Sequence, residues 1–327
     1  MMGGTRAVLV VAVLAALLGA AAPDDAKSDF VIGPGYTPAP ELTVPPGTPT
    51  GTVHDLVMHS SDSRIYPGIA RADNAVTQRR DAYGNKLPAS FAEESIAAPY
   101  TRHVYVYVPA QYVPGTPAPF IVAQDGHGYL SRLPKILDTM IAAHRLPVII
   151  AVMIDSGGGD AQGSERGLEY DTVSGRYAEF VEHEVLPAVA KAYDITFTSD
   201  PNGRAAMGGS SGGVAAFTMG WFHPELYHRI LTYSGTYVNQ QSPVDPRYPQ
   251  GAWDYPRIVA HSPRKPLRIW MEVGGKDLHH DDPASTFHNW VMANRNMAAA
   301  LKHKGYAYRF VFARDAKHVD GRVMDQT

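Results

Sequence analysis

The chain has 327 residues, 45% of them hydrophobic and 19% charged, with a formal net charge of -3. That length suits one large domain or two ordinary ones with a sizeable core, and the near-neutral charge excludes the basic footprint of a nucleic-acid binder. Cysteine is absent, which excludes a disulfide framework, a thiolate nucleophile, an iron–sulfur cluster and a cysteine zinc site, whereas 14 histidines leave imidazole chemistry open.

Residues 1–22 place Arg6 ahead of an apolar run from Ala7 to Leu18, followed by small residues to Ala22. This is the anatomy of a secretory signal peptide. The run falls short of the ~20 residues that a membrane-spanning helix requires. The expectation is a secreted or periplasmic protein with no membrane association after signal cleavage, the competing reading being an uncleaved anchor. Residues 23–50 are rich in Pro and Gly and read as an extended linker or an arm lying on the surface, leaving 51–327 as the folded domain.

Thr52–His59 and Arg102–Val108 alternate apolar and polar residues with the period of half-buried antiparallel strands. Pro119–Ala123 and Pro147–Ile154 are continuous apolar runs, as expected of parallel strands covered on both faces, and Leu133–His144 between them has helical spacing. The alternation then predicts a helix over 177–193, a strand over 204–207, a helix over 211–221 and strands over 229–233 and 267–273. A helix over 289–304 and a strand over 308–312 complete it. This order predicts an α/β fold with a mainly parallel central sheet, helices on both faces and antiparallel N-terminal strands. Right-handed crossovers set the loops after the parallel strands along one edge, and function is sought there.

Gly208-Gly209-Ser210-Ser211-Gly212-Gly213 stands between a predicted strand and a predicted helix. Gly208, Ser210 and Gly212 make G-x-S-x-G, the nucleophile elbow of α/β-hydrolases. A serine on so sharp a turn sits in strained backbone, and side chains two residues to either side would clash. The helix behind it adds partial positive charge, and the amide after the serine can stabilise an oxyanion. The structural alternative is a glycine-rich turn with a helix-capping serine. A phosphate-binding loop is disfavoured because the Lys-Ser/Thr ending is missing. Gly209, Ser211 and Gly213 satisfy the same count, but the strand end at Met207 places Ser210 on the turn and Ser211 in the helix.

With Ser210 as nucleophile, the chain order of such hydrolases asks for a later Asp or Glu and then a His, each after a strand. Asp277 follows the strand 267–273, with Asp281 and Asp282 close behind, and His318 follows the strand 308–312. His318 would take the serine proton and Asp277 would fix its tautomer. The polar run from Asp277 to Asp282, with His279, His280 and His288, admits a second reading as a zinc or calcium site for a metal-dependent hydrolase. A solvated loop is the preferred reading, with no metal and no cofactor.

Asp125-Gly126 after a strand, Glu169-Tyr170, MGGSSGG around Ser210, Tyr233-Ser234-Gly235, GGKD ending at Asp277 and AKHVDGR around His318 form an ordered set. Together they resemble the putative esterase family, which includes enterochelin esterases and is related to feruloyl and acetyl-xylan esterases of the esterase D type. The resemblance implies an α/β-hydrolase fold with Ser210, Asp277 and His318 as nucleophile, acid and base. It implies an oxyanion hole from the amides of Gly126, His127 and Ser211, and its A-G-x-S-x-G-G pattern favours Ser210 over Ser211. Arg166 and Glu169 match the family's R-x-x-E-Y stretch, read as a structural ion pair supporting the site, with direct substrate contact as the competing reading, and the resemblance implies a helix beyond the histidine loop for which few residues remain.

The expected activity is hydrolysis of a small-molecule or polymer-linked carboxylic ester through an acyl-enzyme. Tyr129, Tyr237, Trp253 and Tyr255 are candidates to line the acyl pocket. The competing class is a non-catalytic carbohydrate-binding module on the same fold.

Overall fold

The computed structural model describes residues 27–71, 95–159 and 162–327, so the expected signal segment at 1–22 lies outside the described residues. Its centre is a nine-stranded sheet whose order follows from the continuous apolar runs. From one edge it runs β1 (Lys27–Ile32), β11 (Ala307–Ala313), β10 (Arg268–Gly274), β9 (Arg229–Tyr233) and β8 (Arg204–Gly209). It continues through β6 (Phe120–Gln124), β7 (Ile150–Ile154) and β5 (Thr101–Val108) to β2 (Thr52–His59). The pairs β2–β5 and β5–β7 are antiparallel and the others parallel. A separate hairpin joins β3 (Ile69–Arg71) to β4 (Ser95–Ala97).

Successive side chains of a strand point to opposite faces, and here both faces are buried. Phe120, Val122, Ile150, Val152, Ile154 and Ala206 enter one core, while Ile121, Ala123, Ala151, Met153, Ala205 and Met207 enter the other. Helix α1 (Leu133–Ala142) covers the second core through Leu133, Leu137 and Ile141. The first is covered by α3 (Arg176–Phe180), α4 (Leu186–Tyr193), α5 (Ser211–Phe222), α6 (Tyr255–His261) and α7 (Trp290–Lys304). A short α2 (Glu165–Tyr170) precedes them. Helices thus flank both faces, as expected, and no described helix is long and apolar enough to cross a membrane.

Two expectations need correction, and a third, the helix beyond the histidine loop, is met in short form. The helix predicted over 177–193 is interrupted by a π-helical turn, Val181–Val185. Pro187 lies just beyond, where its missing amide and ring bulk break the regular i to i−4 ladder. The segment expected to be linker or surface arm throughout 23–50 supplies β1, paired in parallel with β11. Asp29 Oδ1 accepts from the Tyr308 hydroxyl at 2.8 Å and its Oδ2 from Lys302 Nζ at 2.9 Å. An edge strand is held largely by its backbone, and Phe30 and Val31 remain 41% and 57% exposed, so no buried pattern marks it. Finally, a six-residue helix, α8 (Gly321–Gln326), does follow the histidine loop, with Val323 buried against Ala313 and Ala316.

Candidate active site

β8 ends at Gly209, and Ser210 turns the chain with φ 56° and ψ -127°, a region costly for a residue bearing a side chain. The turn is pinned from both sides: Ser210 donates its amide to Tyr233 O at 2.9 Å, and its carbonyl accepts from Thr236 N at 3.0 Å and Gly213 N at 2.9 Å. A Cβ on Gly208 would lie 2.4 Å from the carbonyl group of Gly212, backbone that cannot move aside without unwinding α5. The glycine spacing therefore has the steric origin expected for an elbow.

Three loops meet at this turn. His318 Nε2 lies 2.8 Å from Ser210 Oγ, and His318 Nδ1 lies 2.6 Å from Asp277 Oδ1. Asp277 is 1% exposed, and its Oδ1 also accepts the Leu278 amide at 2.7 Å. Asp281 and Asp282 face away, toward His280 at 3.3 Å and His279 at 3.0 Å. Ser211 is buried in the first turn of α5, with Oγ 3.5 Å from Gln240 Nε2. Of the candidate residues, then, the tertiary structure joins Ser210, Asp277 and His318 and leaves the others outside the chain of hydrogen bonds.

The histidine loop has its own supports. Val319, a β-branched residue at φ 45°, donates its amide to Ser234 Oγ at 3.0 Å. Asp320 accepts the amides of Lys317 and Arg322, each at 3.1 Å. The Arg322 guanidinium holds the Asp320 carboxyl well below the usual carboxylate range. Trp290 sets its edge against the His318 ring at 5.8 Å between centroids, and His279 stacks on Trp290 at 5.9 Å. The histidine-rich run thus builds a wall behind His318. Burial depresses the His288 imidazole, and no group of three or more His, Asp or Glu side chains is placed to hold a metal ion among the described residues.

The amides of Ser211 and Gly212 open α5, where the first amides of a helix lack intrahelical acceptors. Gly212 packs against the end of β6, its Cβ position 3.0 Å from Gln124 Cβ and 3.3 Å from Asp125 Oδ2. Gly126 lies beside that end, where a Cβ would meet the Met153 carbonyl at 2.4 Å. The expectation for His127 is corrected: its amide and its ring Nδ1 both lie 2.9 Å from Asp155 Oδ1, so the carboxylate already occupies that donor.

The expected Arg166–Glu169 pair is also corrected. Arg166 grips Asp125 with a two-pronged contact, Nε to Oδ1 at 3.0 Å and Nη2 to Oδ2 at 2.8 Å. Glu169, fully inside, is gripped by the buried Arg102, with Nη1 to Oε2 at 3.2 Å. One carboxylate faces the strands and one guanidinium faces the β6 end, so neighbours in sequence serve different partners. The spacing R-x-x-E signals proximity on a helix but does not reveal partners on other strands.

Three pocket candidates belong to the cores. Tyr129 is 5% exposed in the second core, and Tyr237 is 0% exposed in the first. Tyr237 sets its edge against Phe217 at 5.8 Å, and Tyr255 closes the same cluster. Aromatic side chains after strands are as readily drawn into packing as left for a ligand. Trp253 stays partly open and, with Tyr237, Asp254, Pro256, Arg257 and Asn296, lines a cavity of about 270 Å³ that the triad residues do not border.

A mainly parallel sheet, an elbow after β8 and loops carrying Asp277 and His318 after β10 and β11 define an α/β-hydrolase architecture. The chain belongs to the putative esterase family, whose match covers residues 95–319. It is 28% identical over 138 residues to the iron(III) enterobactin esterase of Dickeya dadantii (strain 3937), 42% of this chain and 30% of that protein. Among solved structures, the enterobactin esterase of Shigella flexneri matches with TM-score 0.51 at 20% identity, over 69% of this chain and 53% of that one. The chain thus spans a third to about half of these relatives. A mutant of the feruloyl esterase module from Clostridium thermocellum, complexed with sinapinate, matches over 92% of both chains with TM-score 0.51 at 18% identity.

Proposed function

We propose that the protein is a serine carboxylic-ester hydrolase acting through an acyl-enzyme. The observation that carries this reading is the unbroken chain of contacts from Ser210 Oγ through His318 to Asp277, at 2.8 and 2.6 Å. His318 Nε2 accepts the Ser210 proton as Oγ attacks the ester carbonyl, and Asp277 fixes the tautomer and stabilises the imidazolium. The Ser211 amide, with that of Gly126 across the turn, receives the negative charge that develops on the carbonyl oxygen. His318 then protonates the departing alkoxide. Water, deprotonated by the same imidazole, releases the carboxylic acid and restores Ser210.

The substrate is proposed to be an ester of small or polymer-linked form, within the range set by enterobactin and feruloyl esterases. Coverage favours the feruloyl side, because the chain matches 92% of that module but only 53% of the Shigella enzyme. The apolar run before Leu18 supports export to the periplasm or beyond. No metal or other cofactor enters the steps above.

The test is labelling by a fluorophosphonate probe followed by turnover of acetyl, feruloyl and siderophore esters. Ser210→Ala is expected to abolish labelling and turnover, while Ser211→Ala retains labelling. An adduct located on Ser211 by mass spectrometry, or turnover that survives Ser210→Ala, would overturn the assignment.

A further inference from the structure

Glu272 stands on β10 two residues before its end, paired in register with Tyr233 of β9 and Val311 of β11. It is 1% exposed, and neither carboxyl oxygen has a side-chain hydrogen-bond partner among the described residues, the Ser234 amide being the one donor that acts on it. Asp277 Oδ2 is unpartnered. A buried carboxylate so poorly supplied with donors is costly, and two such groups in one layer cannot both carry charge without a compensating cation.

Its neighbours offer no such cation. Asp277 acts on it from the loop after β10, and Asp320 from the histidine loop. Tyr233 on β9 and Tyr36 on the N-terminal arm also feel its charge. Arg322, in the histidine loop, pairs with Asp320 through Nη2 at 2.6 Å. The Glu272 backbone is tied into the site as well, since its carbonyl accepts from Ser234 N at 2.9 Å and Ser234 Oγ accepts from Val319 N at 3.0 Å. Burial first, and the Asp277 charge second, push the Glu272 carboxyl up to about 8.

Resting on the proposed role of the Ser210–His318–Asp277 chain, we propose that Glu272 is a positioning residue that keeps a proton in the buried layer between Asp277 and the His318 loop. A neutral Glu272 leaves Asp277 as the uncompensated negative charge that orients His318. Ionisation of Glu272 sets a second buried charge against Asp277, which favours opening of the layer and displacement of the Val319–Ser234 contact. The catalytic loss then falls on kcat rather than KM, because Glu272 touches no substrate.

Glu272→Gln, neutral at every pH and able to donate, is the decisive variant. The wild type is expected to lose kcat as pH rises through about 8, and the variant to hold its kcat there with KM unchanged in both. Melting temperatures should coincide near pH 5, with the variant melting several degrees higher near pH 8.5. The wild-type minus variant infrared difference at pH 6 is expected to carry a carboxylic C=O stretch, which reads the Glu272 proton apart from that of Glu165. It needs no ester hydrolysis, and a carbon-13 titration of labelled glutamate in wild type serves if the variant does not fold. Alkaline limbs that superimpose, a melting difference that ignores pH, or an ionised Glu272 at pH 6 would each overturn the proposal. A protein inert toward every ester in the panel while Glu272 holds its proton would instead sink the esterase reading on which the role depends.

Discussion

At Ser210, position in the turn outweighs the identity of the residue. Two adjacent serines carry the same hydroxyl, yet one stands at φ 56° facing His318 while the other is buried at the start of α5. His318→Ala is expected to lower kcat by a factor on the order of 10⁴ or more with an unchanged circular dichroism spectrum. A variant retaining a tenth of the rate would remove His318 from the mechanism. Because only the neutral imidazole accepts the serine proton, activity should fall on acidification, measured as kcat/KM against pH. Asp277→Asn should cost about 10⁴ in kcat by stabilising the wrong tautomer. Asp281→Asn and Asp282→Asn, whose partners are His280 and His279, should change it by less than about threefold. The reverse ranking would move the acid downstream.

Between elements, close backbone approach and buried charge decide what the site tolerates. Gly208→Ala places a methyl 2.4 Å from the Gly212 carbonyl, so β8 and α5 must separate. Its expected cost is roughly 3 kcal/mol or more in denaturant unfolding, and a change under about 1 kcal/mol would show that the elbow yields easily. The Arg102–Glu169 pair joins β5 to α2 in the interior. Arg102→Met strands the Glu169 carboxylate and should cost about 3–5 kcal/mol, while adding Glu169→Leu should recover most of that loss. Failure of the second substitution to rescue the first would mean that packing of Arg102, stacked near Tyr100 and Phe180, outweighs its charge.

For the molecule as a whole, buried acids raised above their ordinary pKa, Glu169 beside Arg102 among them, set the direction of the pH response. Glu165 is pushed up to about 7 and Glu272 to about 8, in both cases chiefly by burial and then by a neighbouring carboxylate. Folded pKa values above the ordinary value of 4.5 mean that the native state binds these protons more tightly than the unfolded chain. Stability from these groups is therefore present below about 4.5 and declines as pH rises toward 7 and 8. Calorimetry between pH 5 and 8.5 should show a falling melting temperature, steeper in wild type than in Glu272→Gln. The N-terminal arm acts at the same scale. Removal of residues 1–37 exposes the β11 edge and deletes the Asp29 contacts to Tyr308 and Lys302, so the shortened chain should melt lower and aggregate sooner. An unchanged melting curve would return the folded boundary to residue 51.

The sequence by itself determined the α/β order, because strands covered on both faces must be apolar without interruption, as 119–123 and 147–154 are. It also determined the elbow and the order of its partners, because a sharp turn demands glycine at fixed positions and active loops follow strands. Only the tertiary structure decided what depends on long-range neighbours. Edge strand β1 is held by backbone pairing and leaves little trace in the pattern of side chains. Tyr129 and Tyr237 are aromatic residues whose burial depends on which helix covers them. Arg166 and Glu169 find their partners on β5 and at the β6 end rather than in each other. Glu272, one acid among 32 acidic residues in the chain, becomes distinctive only once the fold removes water and withholds a side-chain donor from it.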